Sequence, residues 1–268
     1  MSPTNTAIIA EAARLLASAQ ETGELIPPLR EKFPGLPIED AYSIQQFNTE
    51  AKLEQGRRIV GSKIGLTSAA VQGQLGVHEP DYGVLLDDME YGEGLPVPMN
   101  RLQQPKIEAE IAFILGSDLT MPNPCIADVV RAIEYVVPAL EIVGSRVKDW
   151  NIRLFDTIAD NASSGGYVLG TPVRKLDGLD LRNSSMALSA SSNPQEILSA
   201  GVGANCLGNP LNAVVWLARV MQQKGSPLKA GFVILSGALG PLVNVQPGET
   251  YTAVIEGLGQ VTASFDAV

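Results

Sequence analysis

A regular alternation of residues predicts a β-strand at residues 105–115. Pro105 precedes the alternation and Gly116 ends it. One face is apolar throughout and consists of Ile107, Ala109, Ile111, Phe113 and Leu115. Strongly apolar segments predict further strands at residues 58–67, 135–143, 232–235, 251–255 and 260–265.

Apolar positions with helical spacing predict a helix over residues 4–25, a second between Pro37 and Gly56, and a third over residues 211–224. In the second helix the buried side is predicted to contain Tyr42, Ile44, Phe47 and Leu53. We interpret the first two helices as a small N-terminal helical cap, residues 1–57, packed on a main domain of residues 58–268.

Composition is that of a folded protein with a large core, because 45% of the 268 residues are hydrophobic and 18% are charged. The formal net charge of −10 argues against nucleic acid and anionic membranes as partners. We see no membrane-spanning run and no secretion signal, and the two cysteines lie far apart, so a cytoplasmic, reduced protein is expected. A bound divalent cation would still permit an anionic substrate.

The second face of the 105–115 strand begins with two carboxylates, Glu108 and Glu110, and then becomes apolar. Residues two apart on a strand lie ~6–7 Å apart and point the same way, so both carboxylates can reach one cation. A strand end that faces water is the alternative for this segment taken alone.

A third carboxylate favours a metal site over a strand end that faces water. Glu141 lies in the apolar run 135–143, where a lone buried carboxylate is costly unless it is paired or binds a metal. Together, Glu108, Glu110 and Glu141 offer three oxygen ligands to Mg²⁺ or Mn²⁺. Pro138 predicts a local end of pairing, or an edge position for this strand.

Several other residues are candidates for chemistry. Lys63 lies between Gly61 and Gly65 and can hold a carboxylate or stabilise an enolate, unless it is an ordinary surface lysine. Asp81 is either a catalytic group or a turn aspartate. His78 is the single histidine of the chain, which excludes a histidine-rich zinc site. The polar segment 159–166 and the glycine turn 236–241 are either ligand-binding segments or ordinary loops.

These residues occur in motifs that resemble the fumarylacetoacetate hydrolase superfamily, in its hydratase and decarboxylase branch. Within that branch the chain is most similar to the 2-hydroxypenta-2,4-dienoate hydratases, because of the segments Ser236–Pro241, Cys206–Gly208 and Val215–Ala218. The resemblance covers nearly the whole chain and depends on motifs at residues 61–67, 80–83, 105–110, 138–141, 159–163 and 207–212. One departure is Asn209, where relatives are expected to have histidine.

The resemblance implies an α+β fold with a mixed β-roll or β-sandwich core and peripheral helices. It also implies a homo-oligomer and a role in meta-cleavage catabolism of aromatic compounds, and it allows a complex with a decarboxylase of that pathway. The implied metal is Mg²⁺ or Mn²⁺, bound by Glu108, Glu110 and Glu141. The implied activity is addition of water to 2-hydroxypenta-2,4-dienoate, a small anionic substrate, to give 4-hydroxy-2-oxopentanoate.

In this interpretation the metal acts as a Lewis acid, Lys63 stabilises the 2-oxyanion or moves a proton, and Asp81 is a general acid or base. Substrate binding is assigned to Leu66, Asp160, Ser163 and Ser236. Three alternatives stay open: a 4-oxalocrotonate decarboxylase, an acylpyruvate-type C–C hydrolase that uses His78 with Glu79, and a non-catalytic metal-stabilised scaffold subunit.

Overall fold

Two β-sheets form the centre of the computed structural model, which describes residues 3–68, 72–73 and 78–267. The strands are β1 (Ile59–Gly65), β2 (Asp81–Leu86), β3 (Pro96–Val97), β4 (Lys106–Leu115), β5 (Ile133–Val143), β6 (Ser164–Leu169), β7 (Ser185–Ala190), β8 (Ser199–Val202), β9 (Val233–Ala238), β10 (Val243–Asn244), β11 (Thr250–Ile255) and β12 (Gly259–Phe265). The larger sheet has the order β2-β1-β9-β4-β5-β6, with β10 paired to β4, and the smaller has the order β3-β12-β11-β7-β8.

Helices lie around the sheets, which confirms the predicted α+β class. They are α1 (Pro3–Thr22), α2 (Leu29–Lys32), α3 (Ile38–Glu54), α4 (Ile126–Ala132), α5 (Leu154–Ala159) and α6 (Pro210–Gln223). Asn209 is the N-cap of α6, since its side-chain oxygen accepts a hydrogen bond of 3.0 Å from the Leu211 N–H. This residue therefore has a structural use where a histidine was expected.

The apolar face of β4 lies in the main core, as its alternation predicted. Ile107, Ile111 and Phe113 are completely buried there. They share one cluster with Leu217 of α6 and Val261 of the smaller sheet. The opposite face of the same sheet carries the carboxylates and a smaller apolar cluster, which includes Leu85, Ala112, Val137, Ala139, Tyr167 and Leu235.

The strand β5 is an inner strand, because it pairs with β4 on one side and β6 on the other. The predicted edge position is therefore wrong. Pro138 lies where the β6 ladder ends, so its missing N–H costs no ladder bond, and its carbonyl accepts from the Gly170 N–H at 2.8 Å.

Helices α1, α2 and α3 pack together with α5 in an apolar cluster of their own. Ile44 is completely buried in it, but Phe47 and Leu53 are each 39% exposed, so the predicted buried side of α3 is only partly correct. The division into a cap and a main domain at residue 57 stays a prediction. No helix among the described residues is long and apolar enough to cross a membrane.

The packing of β4 can be tested by truncating one buried side chain. We expect Ile111→Ala to lower the free energy of unfolding by about 2–5 kcal/mol, because Ile111 is completely buried. The control Val254→Ala removes an apolar side chain that is 51% exposed, and a change within about 0.5 kcal/mol is expected. Urea denaturation measures both, and equal losses would contradict this description of the core.

Candidate active site

Three carboxylates meet on one face of the larger sheet. Glu108 of β4 lies directly opposite Glu141 of β5, and Glu110 follows two residues along β4 on the same face. Their exposed fractions are 9%, 1% and 0%, respectively. One oxygen from each lies within 4.8 Å of the others, so the strand register forms the predicted three-oxygen cluster.

The hydrogen bonding of these carboxylates is incomplete. Glu110 Oε2 accepts from the Gly237 N–H at 2.7 Å, but Glu110 Oε1 and Glu141 Oε2 are buried and accept no hydrogen bond from the described residues. Buried carboxylate oxygens without partners are costly, and hard divalent cations prefer such oxygen ligands. The donor set therefore fits a divalent metal ion.

Burial also changes the protonation of the cluster. Desolvation, followed by the charge of Glu141, raises the pKa of Glu108 to about 8. The same two causes raise the pKa of Glu110 well above its ordinary value. Without a cation, Glu108 therefore holds a proton at neutral pH, and the protonated form of Glu110 is favoured in the same direction, because the charged forms are disfavoured.

Lys63 is the cation beside the cluster. Its Nζ lies 3.1 Å from Glu141 Oε1 and donates a hydrogen bond of 2.9 Å to the Ala162 carbonyl. Burial alone would lower the pKa of Lys63, but the charges of Glu141 and Asp81 outweigh burial and hold this pKa above its usual value. Lys63 is therefore a buried ammonium and not a surface lysine.

Asp81 begins β2 and lies opposite Gly65 of β1. Burial raises the pKa of Asp81 to about 6, against the lowering effect of Lys63. A side chain at Gly65 would collide with Asp81 Oδ1, so the glycine lets this carboxylate lie over β1 near Lys63. Asp81 Oδ2 is buried without a hydrogen-bond partner among the described residues, which leaves it free to act on a ligand.

A cavity of about 940 Å³ connects these groups, and Lys63, Asp81 and Glu108 line it. Its lining also includes five non-glycine residues with φ in the left-handed region: Leu66, Trp150, Ala162, Ser163 and Leu207. Such conformations cost free energy and concentrate at functional sites. The cavity is therefore the candidate active site, and it contains the predicted residues Lys63, Leu66, Asp81, Glu108 and Ser163.

Two predicted substrate-binding residues do not line this cavity. Asp160 accepts from the backbone N–H of Arg146 at 3.0 Å and also from its guanidinium, so both of its carboxylate oxygens are occupied. Ser236 is completely buried and its carbonyl accepts from the Cys206 thiol at 3.0 Å. The Ser236 hydroxyl is buried without a hydrogen-bond partner among the described residues, and the role of both residues in substrate binding stays a prediction.

The pair proposed for a hydrolase, His78 and Glu79, is exposed and does not line the cavity. The described residues therefore offer no histidine base to the site.

Three important residues were missed by sequence reasoning. Arg146 donates to the Asp160 and Ser164 carbonyls at 2.7 and 2.8 Å, which fixes the turn at residues 160–164. The Asn161 side chain bonds both the N–H and the C=O of Val84, at 2.8 and 2.9 Å. Thr157 lines the cavity from α5. An arginine three residues after the apolar run of β5 was the available signal for Arg146.

Comparisons with known proteins show the family of the chain. Residues 68–266 match the model of the fumarylacetoacetate (FAA) hydrolase C-terminal family. A 2-keto-4-pentenoate hydratase of Paraburkholderia xenovorans (strain LB400) is 54% identical over 257 residues, which covers 96% of this chain and 94% of that protein. The TodF product hydratase of Pseudomonas putida (strain F1) is 52% identical over 260 residues, which covers 97% of this chain and 96% of that protein.

A solved structure is also similar over the full length. The 4-oxalocrotonate decarboxylase from Pseudomonas putida G7, complexed with magnesium and adipate, superimposes with a TM-score of 0.92 at 34% identity and covers 99% of both chains.

Proton release should accompany metal binding at this site. At pH 7 a divalent cation must displace a proton from Glu108, whose pKa of about 8 lies above that pH, and the pKa of Glu110 is raised as well. Calorimetric titration of the metal-free protein with Mn²⁺ in two buffers of different ionisation enthalpy measures the release. We expect a buffer-dependent heat that diminishes above pH 8, where Glu108 is already ionised. A heat independent of the buffer at pH 7 would contradict this view of the cluster.

Proposed function

The chain belongs to the fumarylacetoacetate hydrolase family, and from this premise we propose that it is a metal-dependent hydratase. The proposed reaction adds water to 2-hydroxypenta-2,4-dienoate and gives 4-hydroxy-2-oxopentanoate. The observation that carries the proposal is a cluster of three carboxylates beside a cavity lined by Lys63, Asp81 and Glu108, in a chain 54% identical to a 2-keto-4-pentenoate hydratase.

Glu108, Glu110 and Glu141 would hold the divalent cation. Mg²⁺ or Mn²⁺ is the proposed ion, supported by the oxygen-only ligand set and by the magnesium in the decarboxylase structure that is 34% identical. When bound, the cation supplies a Lewis acid that stabilises negative charge on the 2-oxygen of the substrate.

Lys63 is proposed to donate to the 2-oxygen of the substrate as negative charge develops there. Its ammonium is buried and is held by Glu141 and the Ala162 carbonyl, so it needs no reorganisation when that charge appears. This stabilisation favours the enolate through which the dienol becomes the ketone. In that ketone the C3=C4 double bond is conjugated with the C2 carbonyl, which makes C4 electrophilic.

Asp81 is proposed to move the protons. A carboxyl with a pKa near 6 can both accept and return a proton close to neutral pH. The dienol loses its hydroxyl proton and gains one at C5, and water then adds OH at C4 and a proton at C3. The net change is one water molecule. Leu66 and Ser163 line the same cavity and would orient the substrate, whereas Asp160 and Ser236 do not line it.

A decarboxylase that acts on a 2-oxo-dicarboxylate is the second candidate, favoured by the decarboxylase structure. Its substrate needs a cation for a second carboxylate. Among the described residues that line the cavity, Lys63 alone carries a positive charge, and Glu141 already pairs with it. The hydratase is therefore preferred.

A homo-oligomer, a role in meta-cleavage catabolism and a complex with a pathway decarboxylase remain further parts of the proposal.

The reaction can be followed with the metal-free protein and freshly prepared 2-hydroxypenta-2,4-dienoate. Addition of Mg²⁺ or Mn²⁺ should remove the dienol absorbance, and mass spectrometry should find a product heavier by one water. Loss of the dienol without added water would reduce the activity to tautomerisation. Release of CO₂ from 4-oxalocrotonate with no hydration would favour the decarboxylase, and tight metal binding without turnover would favour a scaffold subunit.

Variants separate the role of Lys63 from metal binding. We expect Lys63→Met to lower kcat about 10²–10³-fold while the metal remains bound, because an oxyanion donor is lost. Glu110→Gln should abolish both metal binding and activity. Lys229→Met is the matched control, since Lys229 pairs with Asp118 at the surface. Steady-state kinetics and metal titration measure these effects, and wild-type turnover in Lys63→Met would refute the proposed role.

A further inference from the structure

The helix α5 faces two different environments. Phe155 and Ile158 pack in the apolar cluster of α1, α2 and α3, and Asp156 pairs with Arg30 of α2. Thr157 instead lines the cavity that contains Lys63 and Asp81. The helical cap thus holds a single hydroxyl of α5 against the candidate active site.

The Thr157 hydroxyl lies between two groups of the site. Its Oγ1 is 3.1 Å from Ser163 Oγ, and the side chain also interacts with the carboxylate of Asp81 and lowers the pKa of that group. A hydroxyl has one proton to donate and can accept others. An ionised Asp81 can only accept from Thr157, and in the Thr157–Ser163 pair either hydroxyl can be the donor.

Ser163 needs such a partner. It is the third of three consecutive non-glycine residues with φ in the left-handed region, at 52°, 50° and 55° for residues 161, 162 and 163. A conformation of this kind persists when surrounding contacts fix it. The backbone of Ser163 is held by the Asp160 carbonyl at 2.9 Å and the Gly144 N–H at 2.8 Å, and Thr157 contacts its side chain.

We propose that Thr157 is a positioning residue for the reaction: its hydroxyl orients the Asp81 carboxylate and the Ser163 hydroxyl toward the substrate at the same time. This inference depends on the proposed hydratase function. It also gives the helical cap a purpose, because the cap fixes the helix that carries Thr157.

Two substitutions at one position test the hydroxyl. Thr157→Val keeps the shape and removes the hydroxyl, whereas Thr157→Ser keeps the hydroxyl and removes a methyl group. We expect Thr157→Val to lower kcat about tenfold or more with unchanged metal binding, since a hydrogen bond to a charged group is lost. Thr157→Ser should restore most of kcat. Thr252→Val, on β11 of the other sheet, is the matched control and should keep wild-type kcat.

A double-mutant cycle tests whether Thr157 acts through Ser163. The combination of Thr157→Val with Ser163→Ala should be clearly less damaging than the product of the two single effects, because both changes remove the same contact. Multiplicative effects would overturn the coupling. Wild-type kcat in Thr157→Val, or equal damage in Thr157→Ser and Thr157→Val, would overturn the role of the hydroxyl.

The wild-type protein, assayed in parallel, separates this inference from the proposed function. If it does not hydrate the dienoate, the proposed function is wrong and the catalytic role of Thr157 is lost with it. The contact itself is then measured from the unfolding free energies of the same four proteins, where additivity would show that the two hydroxyls do not interact.

Discussion

Mutual repulsion of three buried carboxylates is the constraint on which the rest of the site depends. The register of β4 and β5 places Glu108, Glu110 and Glu141 on one face of a sheet whose other face packs in the main apolar core. Protein groups compensate this charge only in part, through the Gly237 N–H and the Lys63 ammonium. The remaining oxygens either hold protons or bind a divalent cation. The buried charge that destabilises the metal-free fold is therefore the same charge that favours cation binding.

Around this cluster, many hydrogen bonds and packing contacts hold irregular backbone in place. The turn at residues 160–164 contains three left-handed residues, and its carbonyls accept hydrogen bonds from Arg146 and Lys63. The Asn161 side chain ties the turn to the backbone of Val84. Helix α5, which leads into this turn, is anchored by Asp156 to Arg30 and by Phe155 to the helical cap. The cap is far from the carboxylates in sequence, yet it stabilises one wall of their cavity.

The sequence was informative where a local pattern determines the structure. Period-two alternation predicted β4 and the common face of Glu108 and Glu110, and the cost of a lone buried carboxylate indicated Glu141. The sequence did not indicate which distant segments contact each other. The partner of Asp160 is Arg146, and no spacing rule connects them. Ser236 belongs to a glycine turn that resembles a binding loop, but its burial depends on strands that pair only in three dimensions. The inner position of Pro138 likewise follows from where β6 happens to end.

Diffraction from Mn²⁺-soaked crystals, recorded near the manganese absorption edge, would test the central claim most directly. The account predicts one strong anomalous peak with an oxygen of each of Glu108, Glu110 and Glu141 at about 2.0–2.3 Å, as expected for a hard divalent cation. It also predicts that Lys63 stays outside this coordination sphere. A peak elsewhere, or none at an Mn²⁺ concentration that supports turnover, would contradict the assignment of the three carboxylates as the metal ligands.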